Sequence, residues 1–447
     1  MINKLLKNYM EVRPNDIFIN YNNKNITYEN IAYSVESRIK SMQTINIKKK
    51  SIVGIYIDNS LDLVEVLFAC IEIQAHPLII PSKFTEQEIS NLSNQIQFDY
   101  FITNWSKAKN IKNHHIPTFP IEELSPGIGG CTPSKIIQNN LNQIACLLLT
   151  SGTTGMPKIT QISIKNMIAS HNAWNKIMEF DKKDIYFNCL PLHHIGGLSI
   201  IFRALFSGFK IVIVDSFNEE LIVKKMIKYK VNIVSLVPTM LSRILQVESN
   251  DNLDKRLRAI ILGGSNCSSA LIKRAIKKNF NIYKSYGMTE SSSGISGFWV
   301  KEYMSHLDSS GIPHDQIKYK IIKDEILIKG PSIIEKYYDG PIIKDWYCTN
   351  DIGYIDSEGF LYVLGRKNQA ISGGENIDLK EIEETINKHP KIRKTIVKSI
   401  PDDEWGNKII AYVSSEELDL SIIKTWLKTK ISNHKIPKEF IFIDEID

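Results

Sequence analysis

A nine-residue run rich in glycine and hydroxyls, Thr-Ser-Gly-Thr-Thr-Gly-Met-Pro-Lys at 150–158, has the composition needed to wrap phosphate. Gly152 and Gly155 let backbone N–H groups approach phosphate oxygens closely. Thr150, Ser151, Thr153 and Thr154 add hydroxyls, and Lys158 adds a point charge for a polyphosphate. The run is not a Walker A loop, which needs four residues between its first glycine and a final Gly-Lys-Ser/Thr. Pro157 also stands where the helix of such a loop would start. A Ser/Thr/Gly turn between strand and helix is common, but a run of this composition ending in Pro-Lys is far rarer by chance. A lone carboxylate, Glu290 in Ser-Tyr-Gly-Met-Thr-Glu at 285–290, suits Mg²⁺, which takes few protein ligands and many phosphate oxygens. Standing alone, that string would read as a glycine turn with a surface glutamate.

The elements that must position these residues alternate in type. Segment 144–149 is an apolar run that reads as a buried strand, and Ser163 can cap a helix bearing Ile164, Met167, Ile168 and Ala173 mostly on one face. The expected order around the loop is therefore strand, loop, helix. Segments 51–57, 77–80, 209–214, 233–237 and 258–262 read as further strands, with helices at 61–74 and 219–230 between them. This rhythm implies largely parallel sheets with helices packed on their faces. From about residue 317 it changes to short strands at 318–322, 325–329, 353–355 and 360–364, which fit a small antiparallel sheet. The polar stretch 365–369 is the best boundary. Beyond it a compact α+β lobe is expected, with helices at 379–388 and 420–432 and strands at 395–400 and 408–414. The fold class is thus α/β. A large N-terminal domain at 1–366 includes the β-rich part at 317–364, and a small mobile lobe follows at 367–447.

At 447 residues the chain exceeds one ordinary core. Its 43% hydrophobic and 23% charged residues are those of a soluble globular protein. The net charge of +6 is spread over lysine-rich faces and is densest at Lys48-Lys49-Lys50. It is not concentrated with aromatics as nucleic-acid binding would require. No early stretch joins a basic start to a long apolar segment, so neither signal peptide nor membrane span is expected. Six cysteines (70, 131, 146, 189, 267 and 348) stand far apart without a C-x-x-C pair, which fits reduced core thiols in a cytoplasm.

The loop at 150–158 resembles the phosphate loop of the adenylate-forming superfamily, which holds acyl-CoA synthetases, luciferases and the adenylation domains of peptide synthetases. The other strings follow in that family's order over nearly the whole chain. By resemblance, Tyr286 stacks on adenine beside Gly287, Thr289 meets phosphate and Glu290 holds Mg²⁺. Leu-Gly-Gly-Ser at 262–265 resembles the loop walling the acyl and adenine pockets, through Gly263 and Gly264; alone it is an ordinary turn. Thr-Asn-Asp at 349–351 resembles the family's Thr-Gly-Asp, with Asp351 accepting from both ribose hydroxyls. Asn350 replaces the usual glycine, a modest change because Asn tolerates left-handed backbone. Arg366 faces ribose and phosphate beside a hinge at Asn368, where many members carry Asp or Lys. Ser372, Gly373, Gly374 and Glu375 form the lobe's loop for the thiol step. The resemblance implies a two-step ligase using a carboxylic acid, ATP, Mg²⁺ and CoA, in a family whose members are often dimers.

Within the superfamily, Leu-Pro-Leu-His-His-Ile-Gly-Gly-Leu-Ser-Ile-Ile-Phe-Arg at 190–203, paired with Ile-Ser-Gly-Gly-Glu-Asn-Ile at 371–377, resembles the o-succinylbenzoate–CoA ligases of menaquinone and phylloquinone synthesis. There His194 would border the substrate, and Arg203 would face its second carboxylate, which a guanidinium matches with two parallel donors. Arg203 stands equally well as a cap for a helix ending near Ser207-Gly208, and one histidine as a satisfied core residue. Adjacent His193 and His194 point opposite ways on an extended chain, which argues against joint metal ligation. Other aryl or medium-chain acyl-CoA ligases, and a degenerate nucleotide-binding protein, are the competing readings. The chain runs to Asp447 about where the family's Gly-Lys motif would begin, so a shortened chain with slow adenylation is a further expectation.

Overall fold

A computed structural model describes residues 2–109, 111, 115–124, 140–150, 157–247, 253, 255–366, 369–372, 375–402, 406–415 and 419–443. Two large sheets organise the first part of the chain. One has six strands in the order Thr118–Pro120, Tyr100–Thr103, Ile52–Tyr56, His76–Ile79, Ile144–Thr150 and Lys158–Ser163. Its pairings are parallel except the last, where Thr150 faces Lys158 across an antiparallel pair. The other has nine strands, parallel from Ile17–Tyr21 through Lys210–Ile213, Ile185–Asn188, Ile233–Leu236 and Ala259–Leu262 to Ile282–Met288. Antiparallel strands close both of its edges. The central strands are buried runs of Ile, Val and Leu, the pattern of parallel strands covered on both faces.

Helices fill those faces. The most buried, Leu61–Ile73 and Ile195–Ser207, join Tyr28–Thr44 and Ile164–Met178 in one core with both sheets. Ser163 caps the helix Ile164–Met178 as expected, in a reciprocal box with Asn166. What precedes it differs from the expected strand–loop–helix order. Residues 158–163 alternate Lys-Ile-Thr-Gln-Ile-Ser and form a strand returning antiparallel to Ile144–Thr150, so the run at 150–158 begins and ends on two paired strands. The helix start is one strand removed from it.

Strands Lys318–Ile322, Glu325–Lys329, Tyr347–Ile355 and Leu361–Arg366 form the antiparallel sheet that the sequence suggests. The last part has a hairpin, Gln369–Ser372 with Glu375–Asp378, and a three-stranded sheet of Ile392–Asp402, Gly406–Ser415 and Glu439–Phe442. Helices Leu379–Asn387 and Leu420–Lys428 pack on it. The second helix ends four residues short of expectation, because Thr429 closes it and a 3₁₀ turn, Asn433–Lys435, follows. Cys70, Cys146, Cys189 and Cys267 are buried thiols, whereas Cys348 is exposed on the outward face of its strand. No helix among the described residues is long and apolar enough to cross a membrane.

Asn350 takes φ 61°, in the left-handed region the sequence substitution allows. Asn350→Gly is therefore expected to leave thermal stability unchanged. Asn350→Val should cost about 1–2 kcal/mol in a denaturant titration, the penalty of forcing a branched side chain into that backbone.

Candidate active site

The described part of the phosphate hairpin consists of its two legs; Ser151, Gly152, Thr153, Thr154 and Gly155 lie outside the described residues. Thr150 Oγ1 donates to the Lys158 carbonyl at 3.5 Å, which keeps the legs together. Lys158 sends its ammonium over the ring of Tyr337, 5.2 Å from the centroid. Tyr337 is held against this leg by a bridge to Thr160 and by the Tyr338 N–H bond to the Ile159 carbonyl, 2.9 Å. Its hydroxyl donates to Glu290 Oε1 at 2.9 Å and lies 2.7 Å from the Tyr347 hydroxyl. Since the Tyr337 proton serves Glu290, Tyr347 is the donor of that second bond. One phenol thus meets a cation on its ring face and a carboxylate at its hydroxyl, so the charges of Lys158 and Glu290 converge without neutralising each other directly.

Glu290 lies in the short 3₁₀ turn Thr289–Ser291 at the end of strand Ile282–Met288, which also carries Tyr286 and Gly287. It is buried, and its carbonyl accepts from the Ile334 N–H at 2.9 Å. Tyr286 donates to Asp351 Oδ2 at 2.6 Å. Strand alternation puts Tyr347, Thr349 and Asp351 on the buried face, with Cys348 and Asn350 outside. One strand therefore links the Glu290–Tyr337 group to the Tyr286–Asp351 pair. Thr349 Oγ1 accepts the Asp351 N–H at 3.0 Å and fixes that carboxylate's position. Asp351 is in register with Arg366 on the next strand. Asn368, Gly373, Gly374 and the side chains of Arg366, Ser372 and Glu375 lie outside the described residues. Gly263 and Gly264 turn the chain after strand Ala259–Leu262, where Gly264 takes φ 82°.

A second cluster surrounds Arg203. His194 is the N-cap residue of helix Ile195–Ser207, and Arg203 lies more than two turns along it. The chain turns at 192–193 just before His194, and the His193 and His194 rings meet with centroids 4.4 Å apart; the expected divergence does not occur. The helix ends on Gly208 at φ 75°, whose N–H bonds the Ala204 carbonyl, so Arg203 is not its cap. Arg203 instead turns inward and is 3% exposed. Its Nη2 donates to Ser293 Oγ at 2.8 Å, and its guanidinium carbon lies 4.4 Å from the Trp174 ring centroid. Arg203 Nε, Trp174 Nε1, His171 Nδ1 and Ser292 Oγ have no hydrogen-bond partner among the described residues. No carboxylate pairs with Arg203 among those residues either. Burial pulls the arginine below its usual pKa, and a hydrogen bond from its charge to Tyr186 opposes that. Burial, then the Arg203 charge, pushes His171 down to about 4 and His314 down to about 3.

Ser292 and Ser293 both have positive φ, 56° and 119°, which places a strained backbone between Glu290 and the arginine. Gly294 then lets Trp174 approach, for a Cβ there would lie 2.6 Å from that ring. Tyr337, Tyr347, Trp174 and Ser293 are the members that motif reading missed. The only local signal was the triple serine after Glu290.

The chain matches the AMP-binding enzyme family over residues 6–338 and the AMP-binding enzyme C-terminal domain over 381–447. It is 28% identical over 453 residues to a 2-succinylbenzoate–CoA ligase of Bacillus cereus, covering 97% of this chain and 93% of that protein. Among solved structures it is similar to a double mutant of o-succinylbenzoate CoA synthetase from Bacillus subtilis bound with its product analogue OSB-NCoA. The TM-score is 0.92 at 26% identity, over 99% of this chain and 95% of that one. The same synthetase in complex with the acyl-adenylate intermediate OSB-AMP gives a TM-score of 0.77 at the same identity and coverage.

Lys158→Ala and Glu290→Gln are expected to lower ATP-dependent turnover by about a hundredfold or more with melting temperatures near native. A Glu290→Gln protein with native activity and Mg²⁺ dependence would remove Glu290 from the site. The buried histidines give a pH test. His171 is depressed from 6.5 to about 4, so the unfolded chain binds a proton the folded one refuses, and stability falls as pH drops through that window. Denaturant titrations at pH 7 and 5 should differ by roughly 2 kcal/mol from His171 alone, and His171→Gln should shrink the difference.

Proposed function

We propose that this chain, which belongs to the AMP-binding enzyme family, is an ATP-dependent acid–CoA ligase whose acid is o-succinylbenzoate. The names of its relatives support the reading, and the single observation that carries the substrate is Arg203. A buried guanidinium without a carboxylate among the described residues, surrounded by unsatisfied polar atoms, is a receptor for an anionic group. A monocarboxylic acid spends its only carboxylate on the chemistry; o-succinylbenzoate has a second one for Arg203.

In the first step the reacting carboxylate oxygen attacks the α-phosphorus of ATP, the bond to the β-phosphate oxygen breaks, and pyrophosphate leaves. In the second the CoA sulfur attacks the acyl carbonyl, the carbon–oxygen bond to AMP breaks, and the thiol proton goes to solvent. No covalent link to the protein forms. The residues act by positioning and by charge. Lys158 and the loop hydroxyls meet the polyphosphate, while Tyr286 and Asp351 hold the nucleoside with Arg366. His194, Gly263 and Gly264 line the acyl side, and Thr289 lies by the phosphate. Glu290 fits Mg²⁺: it is a hard oxygen donor whose position Tyr337 fixes, and it would hold the ion beside the polyphosphate. The ion neutralises phosphate charge when bound. The second part of the chain, from about residue 367, serves as a lobe carrying the Ser372–Glu375 loop to the thioester step. ATP and CoA as co-substrates support a cytoplasmic location.

Arg203→Met is the direct test, because it keeps volume and removes charge. Isothermal titration should show o-succinylbenzoate binding weakened by ~2 kcal/mol or more, with ATP binding unchanged. The unliganded variant should melt higher than the parent, since an uncompensated buried charge is gone. Equal loss for an aryl acid lacking the second carboxylate would reject the assignment.

A further inference from the structure

The C-terminal sheet and the six-stranded sheet are joined by a buried polar cluster that the site does not use. Glu88 lies in the first turn of helix Glu86–Gln95, where its Oε2 accepts from the Thr85 N–H and hydroxyl at 2.9 and 3.1 Å. The same carboxylate reaches across to the far end of the chain. Ser432 Oγ donates to Glu88 Oε2 at 2.6 Å, and the Ser432 N–H donates to Oε1 at 3.3 Å. Lys435 Nζ lies 3.5 Å from Glu88 Oε1 and donates to both Glu381 oxygens, at 2.8 and 3.1 Å. Glu88 and Ser432 are 7% and 1% exposed, so this is no solvated surface pair. The ammonium sits between two carboxylates, one from each part of the molecule. At its other end the same helix is tied to the exit of the phosphate hairpin, through Gln95 Nε2 and the Pro157 carbonyl at 2.8 Å.

A buried carboxylate–serine–lysine contact of this kind exists in only one relative placement of the two parts. As a whole the chain is more similar to the product-analogue complex of the Bacillus subtilis synthetase, TM-score 0.92, than to its acyl-adenylate complex, 0.77, at equal coverage, as a different relative placement of the two parts would give.

We propose that Glu88, Ser432 and Lys435 are positioning residues that hold the C-terminal lobe in the arrangement for thioester formation, and that their contact opens for adenylation. The inference rests on the ligase reading above. None of the three touches substrate. Each acts on the population of one lobe arrangement, so a variant shifts one half-reaction against the other. Removing one partner leaves the remaining charges buried and uncompensated, which disfavours the closed contact strongly.

The test separates the half-reactions in the full chain. ATP–pyrophosphate exchange reports adenylation, and single-turnover thioester formation from supplied o-succinylbenzoyl-adenylate reports the second step. Lys435→Met should slow the second step tenfold or more while exchange is unchanged or faster. Ser432→Ala should do so more mildly, and Lys435→Arg should retain the parent ratio. Glu88→Gln combined with Lys435→Met should lose little beyond the single changes, since both break one contact. Equal loss in both half-reactions, or none, overturns the proposal; general instability would lower both together. Small-angle X-ray scattering of the unliganded proteins needs no substrate, so it stands even if the acid is another one. Broadened inter-lobe distances in Lys435→Met and Ser432→Ala are expected, and profiles identical to the parent would overturn the latch. Parent enzyme inactive with o-succinylbenzoate, but with the scattering change present, would reject the substrate reading alone.

Discussion

Arg203 sits 3% exposed against Trp174, Ser293 and Tyr186 without a carboxylate partner among the described residues, and much of the surrounding structure serves to keep it there. Taking an ion from water into a protein interior costs several kcal/mol after relaxation. The aromatic face of Trp174 offsets part of that, and the Ser293 and Tyr186 oxygens offset more. The remainder is a standing bias toward an anion. Burial keeps the histidines on either side neutral, and the Arg203 charge adds to that, for a second positive charge at His171 or His314 would compound the first. The cost of holding that charge falls on the fold itself.

The Arg203 cluster is joined to the Glu290 group by a short stretch of backbone. Glu290 and Ser293 are three residues apart, and the positive φ of Ser292 and of Ser293 itself turns the chain so that one side chain meets Tyr337 and the other Arg203. Relaxing the turn would move both groups at once. Strand Tyr347–Ile355 then spans from the Glu290–Tyr337 group to Asp351, with its inward residues on one face. The Lys158 hairpin, the Tyr286–Asp351 pair and the Arg203 cluster are therefore set by adjoining elements of three sheets, and the contact at Glu88 rests on the six-stranded one.

Many of the strands were legible as β-branched runs flanked by polar turns; Lys318–Ile322 and Glu325–Lys329 match their sequence limits residue for residue. The strand Lys158–Ser163 was not. Its alternation is brief and abuts a well-capped helix, so the helix signal absorbed it. Motif strings located Lys158, Tyr286, Glu290, Asp351 and Arg203, since each lies in a contiguous stretch with its own chemistry. Tyr337 was invisible for the opposite reason. It stands 47 residues from Glu290, and only the folded chain brings it between that carboxylate and Lys158. The Glu88–Ser432 contact, spanning 344 positions, is the extreme case: neither residue carries any local sign of the other. His193 and His194 failed as an extended pair because Pro191 and the following helix cap bend the chain there.

The central claim is that the guanidinium of Arg203 selects an acid with a second carboxylate. The most direct measurement is a panel of carboxylic acids with the purified chain, ATP, Mg²⁺ and CoA, following pyrophosphate release and identifying the thioester by mass spectrometry. Thioester should form with o-succinylbenzoate far faster than with benzoate, 4-phenylbutyrate or octanoate. Equal or faster turnover of those monocarboxylic acids would contradict it.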